Sequence, residues 1–143
     1  MDEPFWPYVL QVRVRFRDLD GFGHVNNAVF VTYLEQARTD CYLAAHGRTD
    51  PFESGAGLDF VVARLELDYV SPILSGDVVQ ITVFPTHVGN SSFTFGYEAR
   101  ARDAVVARAS TVLVAHDHQA GRSQPLSAAF RKNLETGLAR GKT

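Results

Sequence analysis

Apolar and polar residues alternate near the start of the chain: Tyr8, Leu10, Val12, Val14 and Phe16 are interleaved with Val9, Gln11, Arg13, Arg15 and Arg17. A period of two puts the two sets on opposite faces of a strand, here half-buried with a basic outer face. The rhythm breaks at a loop dense in Asp, Gly and Asn, running Asp18-Leu19-Asp20-Gly21-Phe22-Gly23-His24-Val25-Asn26-Asn27. Beyond it Phe30, Leu34, Ala37, Cys41 and Ala45 recur at helical spacing, and Val31, Tyr33 and Leu43 widen the apolar stripe. Between Ala28 and Ala45 only Glu35, Arg38 and Asp40 are charged, so the pattern predicts a helix largely wrapped by protein. Asn26 or Asn27 suits its N-cap and Gly47 its stop.

The remainder reads as strands. Val61, Ala63, Leu65, Leu67 and Tyr69 alternate with polar neighbours from Arg64 onward and end at Ser71-Pro72, where proline cannot continue a central ladder. Val79, Ile81 and Val83 follow the turn Ser75-Gly76-Asp77. Phe93, Phe95, Tyr97, Ala99 and Ala101 form the cleanest alternation, and Val105 to Ala115 makes a last strand. A short helix is predicted from Ser127 to Leu138. One strand, a buried helix and then four strands with short connections indicate an α+β domain with an antiparallel sheet. A five-stranded sheet curled around one long central helix satisfies these constraints.

The 143 residues are expected to form a single domain, 1–143, with a core of useful size. With 45% hydrophobic residues the chain is not a disordered one, and a net charge of −2 without a basic block argues against nucleic-acid binding. Cys41 is the sole cysteine, which rules out an intrachain disulfide and a cysteine-based metal site. Met1 is followed by Asp2, Glu3 and Pro4 rather than a basic-then-apolar stretch, and no apolar run is long enough to span a bilayer. The expectation is a soluble cytoplasmic protein that does not engage membranes.

The loop carries the chemistry. A carboxylate on the strand side and free amides at a helix start on the other suit attack on a carbonyl, with base or nucleophile facing an oxyanion site. The segment Asp18 to Asn27, continuing to Tyr33-Leu34-Glu35-Gln36-Ala37-Arg38, resembles the 4-hydroxybenzoyl-CoA thioesterase family, acyl-CoA thioesterases of the hotdog fold. The resemblance continues through Tyr69-Val70-Ser71-Pro72, Gly76-Asp77, the turn Gly89-Asn90-Ser91-Ser92-Phe93 and Gly121-Arg122, covering roughly residues 8 to 134. It implies hydrolysis of an acyl-CoA to a carboxylate and free CoA, no metal or redox cofactor, and a homodimer or homotetramer with active sites between subunits.

On that resemblance Asp20, the second aspartate of the D-x-D pattern, is the catalytic carboxylate, acting as nucleophile or as general base toward water. The bland alternative makes Asp20 a loop brace, common for Asp beside Gly. The backbone N–H of Asn27 is the expected oxyanion donor, with the Asn26 side chain as a substitute; both also suit plain capping. His24 invites a dyad with Asp20 but fits scaffolding better, and Asp18 is expected to brace the turn or pair with Arg17. Glu35, with Arg38 at i+3, is the reserve carboxylate. Gly21 and Gly23 serve positive φ or close substrate approach. Phe22, Val25, Phe30 and Phe60 are candidates for an acyl pocket, and Gly89, Ser91 and Ser92 for substrate contacts. The turn His87 to Ser92 holds no Arg or Lys where some relatives place a basic cluster, so Arg64, Arg100 and Arg102 are the substitute phosphate ligands. The rivals are a hydratase or dehydratase on the same fold, a non-catalytic acyl-CoA sensor, and a thioesterase acting on acyl-carrier-protein.

Overall fold

In a computed structural model, residues 5–47 and 60–140 are described; the acidic start of the chain lies outside them. Strand β1 (Tyr8–Arg13) leads through a single 3₁₀ turn (Phe16–Asp18) and the Asp/Gly loop into helix α1 (Asn27–Ala45). Four strands follow: β2 (Phe60–Tyr69), β3 (Val78–Val88), β4 (Ser92–Ala101) and β5 (Ala104–Asp117). A two-residue strand β6 (Arg122–Ser123) and helix α2 (Ala128–Arg140) complete the order.

The sheet is antiparallel in the order β1-β3-β4-β5-β2, with β6 pairing the far end of β5. It therefore has six strands, not five: β6 has only the pairs His116↔Ser123 and Asp117↔Arg122, too short for any periodicity to register. The expected long central helix is also short against the sheet it packs on. Its 19 residues rise about 28 Å, whereas the 14 residues of β5 extend about 46 Å. The second helix fills the difference, with Phe130 beside Tyr42 near the end of α1 and Gly137 close against Pro85 and Trp6.

Alternation decides the core. Phe93, Phe95, Tyr97, Ala99 and Ala101 of β4 and Val79, Ile81 and Val83 of β3 are buried and meet Phe30, Leu34, Ala37 and Cys41 of α1. Arg102 (φ 52°) and Asp103 (φ 61°) form the two-residue connection of the β4–β5 hairpin, matching the right-handed strand twist. The Arg102 Nε reaches both Asp77 carboxylate oxygens at 3.1 Å, and its Nη2 the Pro72 carbonyl at 2.7 Å, closing this end of the sheet.

Two strands depart from simple alternation. Beyond Arg13 one more bond continues the register, from the Val14 N–H to the Asp77 carbonyl (2.9 Å), and the chain then enters the 3₁₀ turn at Phe16, so Phe16 is 91% exposed rather than inward-facing. In β2 the register shifts between Val62 and Arg64, so Val62, Leu65 and Leu67 share one face. β2 is an edge strand, and it leaves Val61, Val62, Leu65 and Tyr69 exposed.

Candidate active site

The site is built where the loop enters α1. Asn26 is the N-cap: its Oδ1 accepts the N–H of Ala28 at 2.8 Å and of Val29 at 3.4 Å, while its carbonyl takes the Phe30 N–H at 3.0 Å. Of the first-turn amides, only that of Asn27 is left without an acceptor among the described residues. A side chain occupied in this way is a cap, so Asn26 is not a second oxyanion donor.

Asp20 does the bracing expected of an Asp beside Gly and retains a spare oxygen. Its Oδ1 accepts from the amides of Phe22 (2.9 Å) and His24 (3.1 Å), and its own N–H donates to the His24 carbonyl at 2.7 Å. Oδ2 has no partner among the described residues. Gly23 sits at φ 78° with open space where a Cβ would be, so its role is conformational rather than close approach. Asp20, His24, Val25, Asn27 and Phe30, with the stretch Tyr69 to Ile73, line one cleft of about 270 Å³. The Tyr69 hydroxyl donates to the Asn27 carbonyl at 2.6 Å, and burial pushes its pKa up, so it stays a protonated donor. The sequence marked Tyr69 only as part of a motif; its clamp on the helix start has no local signal.

Behind the loop Asp18 is buried. It accepts from the Arg15 N–H at 3.0 Å, from the Arg15 guanidinium at 3.1 and 3.3 Å, and from the Tyr33 hydroxyl at 2.5 Å. Its partner is thus Arg15, not Arg17, because the 3₁₀ turn folds Arg15 back over position 18. Burial alone would raise the Asp18 pKa, but the Tyr33 and Arg15 hydrogen bonds outweigh it and hold the carboxyl below its ordinary range.

The other predicted site residues lie elsewhere in the chain. Glu35 lines a second cavity of about 230 Å³ with Arg38, Tyr42, Phe60, Val62 and Phe93. Its ion pair with Arg38 is 3.8 Å long, and eight residues of helix put it about 12 Å along the axis from Asn27. Phe60 sits at that end of the sheet, and Phe22 is 87% exposed outside the cleft. The turn Gly89 to Ser92 lies at the Phe60 end as well: Ser92 and Val61 both pair with Val114, whereas Tyr69 beside the cleft is level with Ala99 through Ala107, seven residues or about 23 Å along β4. Its shape comes from the Gly89 N–H on the Ser92 carbonyl (2.7 Å) and the Ala115 N–H on the Ser91 carbonyl (2.8 Å). Arg131 of α2 also reaches it, with Nη2 at 2.7 Å from the Gly89 carbonyl and 2.9 Å from that of Asn90. No sequence spacing connects Arg131 to that turn. Arg64 pairs with Glu66, Arg100 with Glu98, and Arg102 is held by Asp77, so none of the three substitute phosphate ligands is uncommitted.

Residues 22–108 match the thioesterase superfamily, and the chain belongs to it. It is a thioester hydrolase of the hotdog fold, α+β with an antiparallel sheet and two helices. A thioesterase of Thermus thermophilus, solved with coenzyme A and zinc, is 40% identical, covers 92% of this chain and 94% of its own, and superposes with a TM-score of 0.77. A 1,4-dihydroxy-2-naphthoyl-CoA hydrolase of Nostoc punctiforme is 28% identical over 86% of this chain and 83% of its own. A long-chain acyl-CoA thioesterase of Escherichia coli is 28% identical over 87% of this chain and 95% of its own. Among the described residues no group of three or more His, Cys, Asp and Glu side chains is placed to hold a metal, and no helix is long and apolar enough to cross a membrane.

Proposed function

We propose that the protein hydrolyses an acyl-CoA thioester, using Asp20 and the Asn27 amide. The observation that carries this reading is their shared cleft: a carboxylate with one spare oxygen and the one first-turn amide without an acceptor. Asp20 Oδ2 either attacks the thioester carbonyl or takes a proton from attacking water. In both routes the carbonyl oxygen gains negative charge, the Asn27 N–H and the helix dipole receive it, and the C–S bond breaks to release the CoA thiolate, which takes up a proton. On the nucleophilic route the acyl group is then an anhydride on Asp20, and water cleaves it to the product carboxylate and restores the Asp20 carboxylate. His24 contributes backbone to the loop and lines the cleft. The relatives named above act on different acyl-CoAs, and 4-hydroxybenzoyl is one acyl group among those to be tried.

The working unit in this reading is a dimer. β2 presents an unpaired edge with exposed Val62, Leu65 and Tyr69, which a second copy would cover. Antiparallel pairing about a two-fold near the strand centre sets each Tyr69 end against the partner's Phe60 end. The Asp20 cleft of one subunit then faces the partner's cavity, so Glu35, Phe60 and the Gly89 to Ser92 turn, scattered in one chain, join the site across the axis.

The test is free-thiol release from short, long and aromatic acyl-CoAs. Asp20→Asn should lower turnover by roughly 10²-fold or more while binding persists. Turnover surviving in Asp20→Asn but lost in Glu35→Gln would transfer the role to Glu35. Tight acyl-CoA binding without turnover in the wild type would make the protein a sensor or an acyl-carrier-protein hydrolase.

A further inference from the structure

A third cavity lies on the opposite flank of α1, between the edge of β1 and the 3₁₀ turn, with a volume of about 580 Å³. That falls within the roughly 300–1,000 Å³ typical of small-molecule sites. It shares no lining residue with the Asp20 cleft. Gln11 and Arg13 reach it by strand alternation, Arg15 and Arg17 through the turn, and Thr32 and Gln36 from one face of α1.

The pairing of these groups is unusual. Arg15 is committed to Asp18, but Arg13 and Arg17 have no carboxylate partner among the described residues, in a chain whose net charge is −2. The side chains of Gln11, Thr32 and Gln36 make no hydrogen bond there either. Three guanidiniums against one carboxylate leave a surplus of two positive charges on one groove. Guanidinium forks match phosphate oxygens two at a time, and the amides and hydroxyl beside them suit the polar body of a ligand.

We infer that this groove is a binding site for a diphosphate group, with Arg13 and Arg17 as its primary ligands and Arg15 shared with Asp18. Two sources carry that chemistry: a free nucleotide, or the diphosphate of coenzyme A itself. Only the second source rests on the thioesterase reading.

The experiment is calorimetric titration of the full chain with inorganic pyrophosphate and with ATP at fixed ionic strength, sulfate serving as the ionic control. The wild type should bind both saturably, and Arg13→Gln/Arg17→Gln should weaken binding by about tenfold or more. Both positions are exposed, and circular dichroism checks the fold of the variant. Thiol release separates the sources. An unchanged KM for acyl-CoA in the double variant assigns the groove to a free nucleotide, and a KM raised in step with the lost affinity assigns it to the substrate's own tail. No saturable binding, equal affinity in the double variant, or an equal response to sulfate overturns the inference. The titration needs no turnover, so an inactive protein would defeat the thioesterase reading and leave this one standing.

Discussion

At the scale of single residues, the two aspartates of the loop divide its labour. Asp18 is sealed beneath Tyr33 and Arg15, whereas Asp20 has one oxygen in the loop and one spare. Both residues share one neighbourhood of Gly and Asn along the chain; what separates them is the hydroxyl of Tyr33, fifteen positions away and legible only in three dimensions. The Asp18 carboxyl titrates below its ordinary value of 3.8, so its ionised form stabilises the fold above about pH 4, and that contribution is lost as pH falls through the lowered value. Urea midpoints of wild type and Asp18→Asn should therefore lie well apart at pH 6 and draw together as the pH falls below 3.8. A gap that stays constant would mean that the carboxylate charge contributes nothing. Asn26 and Asn27 show the converse. Their capping chemistry is readable from type and position, but that Asn26 takes two amides and leaves one over is set by the fold of the loop.

At the scale of elements, the helix was readable nearly to the residue, because apolar spacing, an Asn before it and Gly47 after it agree. Gly47 indeed sits at φ 65° just past the end. Strand β4 was equally plain. The misses share a cause, which is tertiary contact overriding local pattern: β1 gives way to a 3₁₀ turn whose Asp18 is held by Tyr33, β2 changes face at a bulge, and β6 pairs only with the far end of β5. The cavity beside Glu35 adds a prediction at this scale. Tyr42 and Phe60, edge-to-face with centroids 4.6 Å apart, border both it and a neighbouring cavity of about 320 Å³ under α2. They form the partition between the two. Tyr42→Ala should join the cavities and move the preferred acyl length upward in the thiol-release panel. An unchanged length profile in a folded variant would show that acyl groups do not enter there.

At the scale of the whole molecule, the predicted site residues fall at two ends of one sheet, Asp20 and Asn27 beside Tyr69 at one and Glu35 beside Phe60 at the other. The sequence had named them as one set on the strength of a resemblance to proteins whose sites lie between subunits. The exposed edge of β2 supplies the physical means. Leu65, near the middle of that strand, would lie close to its own copy. Leu65→Lys should weaken self-association at least tenfold by roughly opposing like charges, and sedimentation should show the shift to monomer with turnover falling alongside. A variant that stays dimeric would place the contact elsewhere.

That edge has a consequence for how the protein answers to its own abundance. In the proposed dimer a site divided between two copies is lost when they part, so well below the dimer dissociation constant activity would fall as the square of the protein concentration. In that regime a doubling of expression would raise hydrolysis about fourfold rather than twofold, so the proposed dimer makes the response to abundance steeper than proportional.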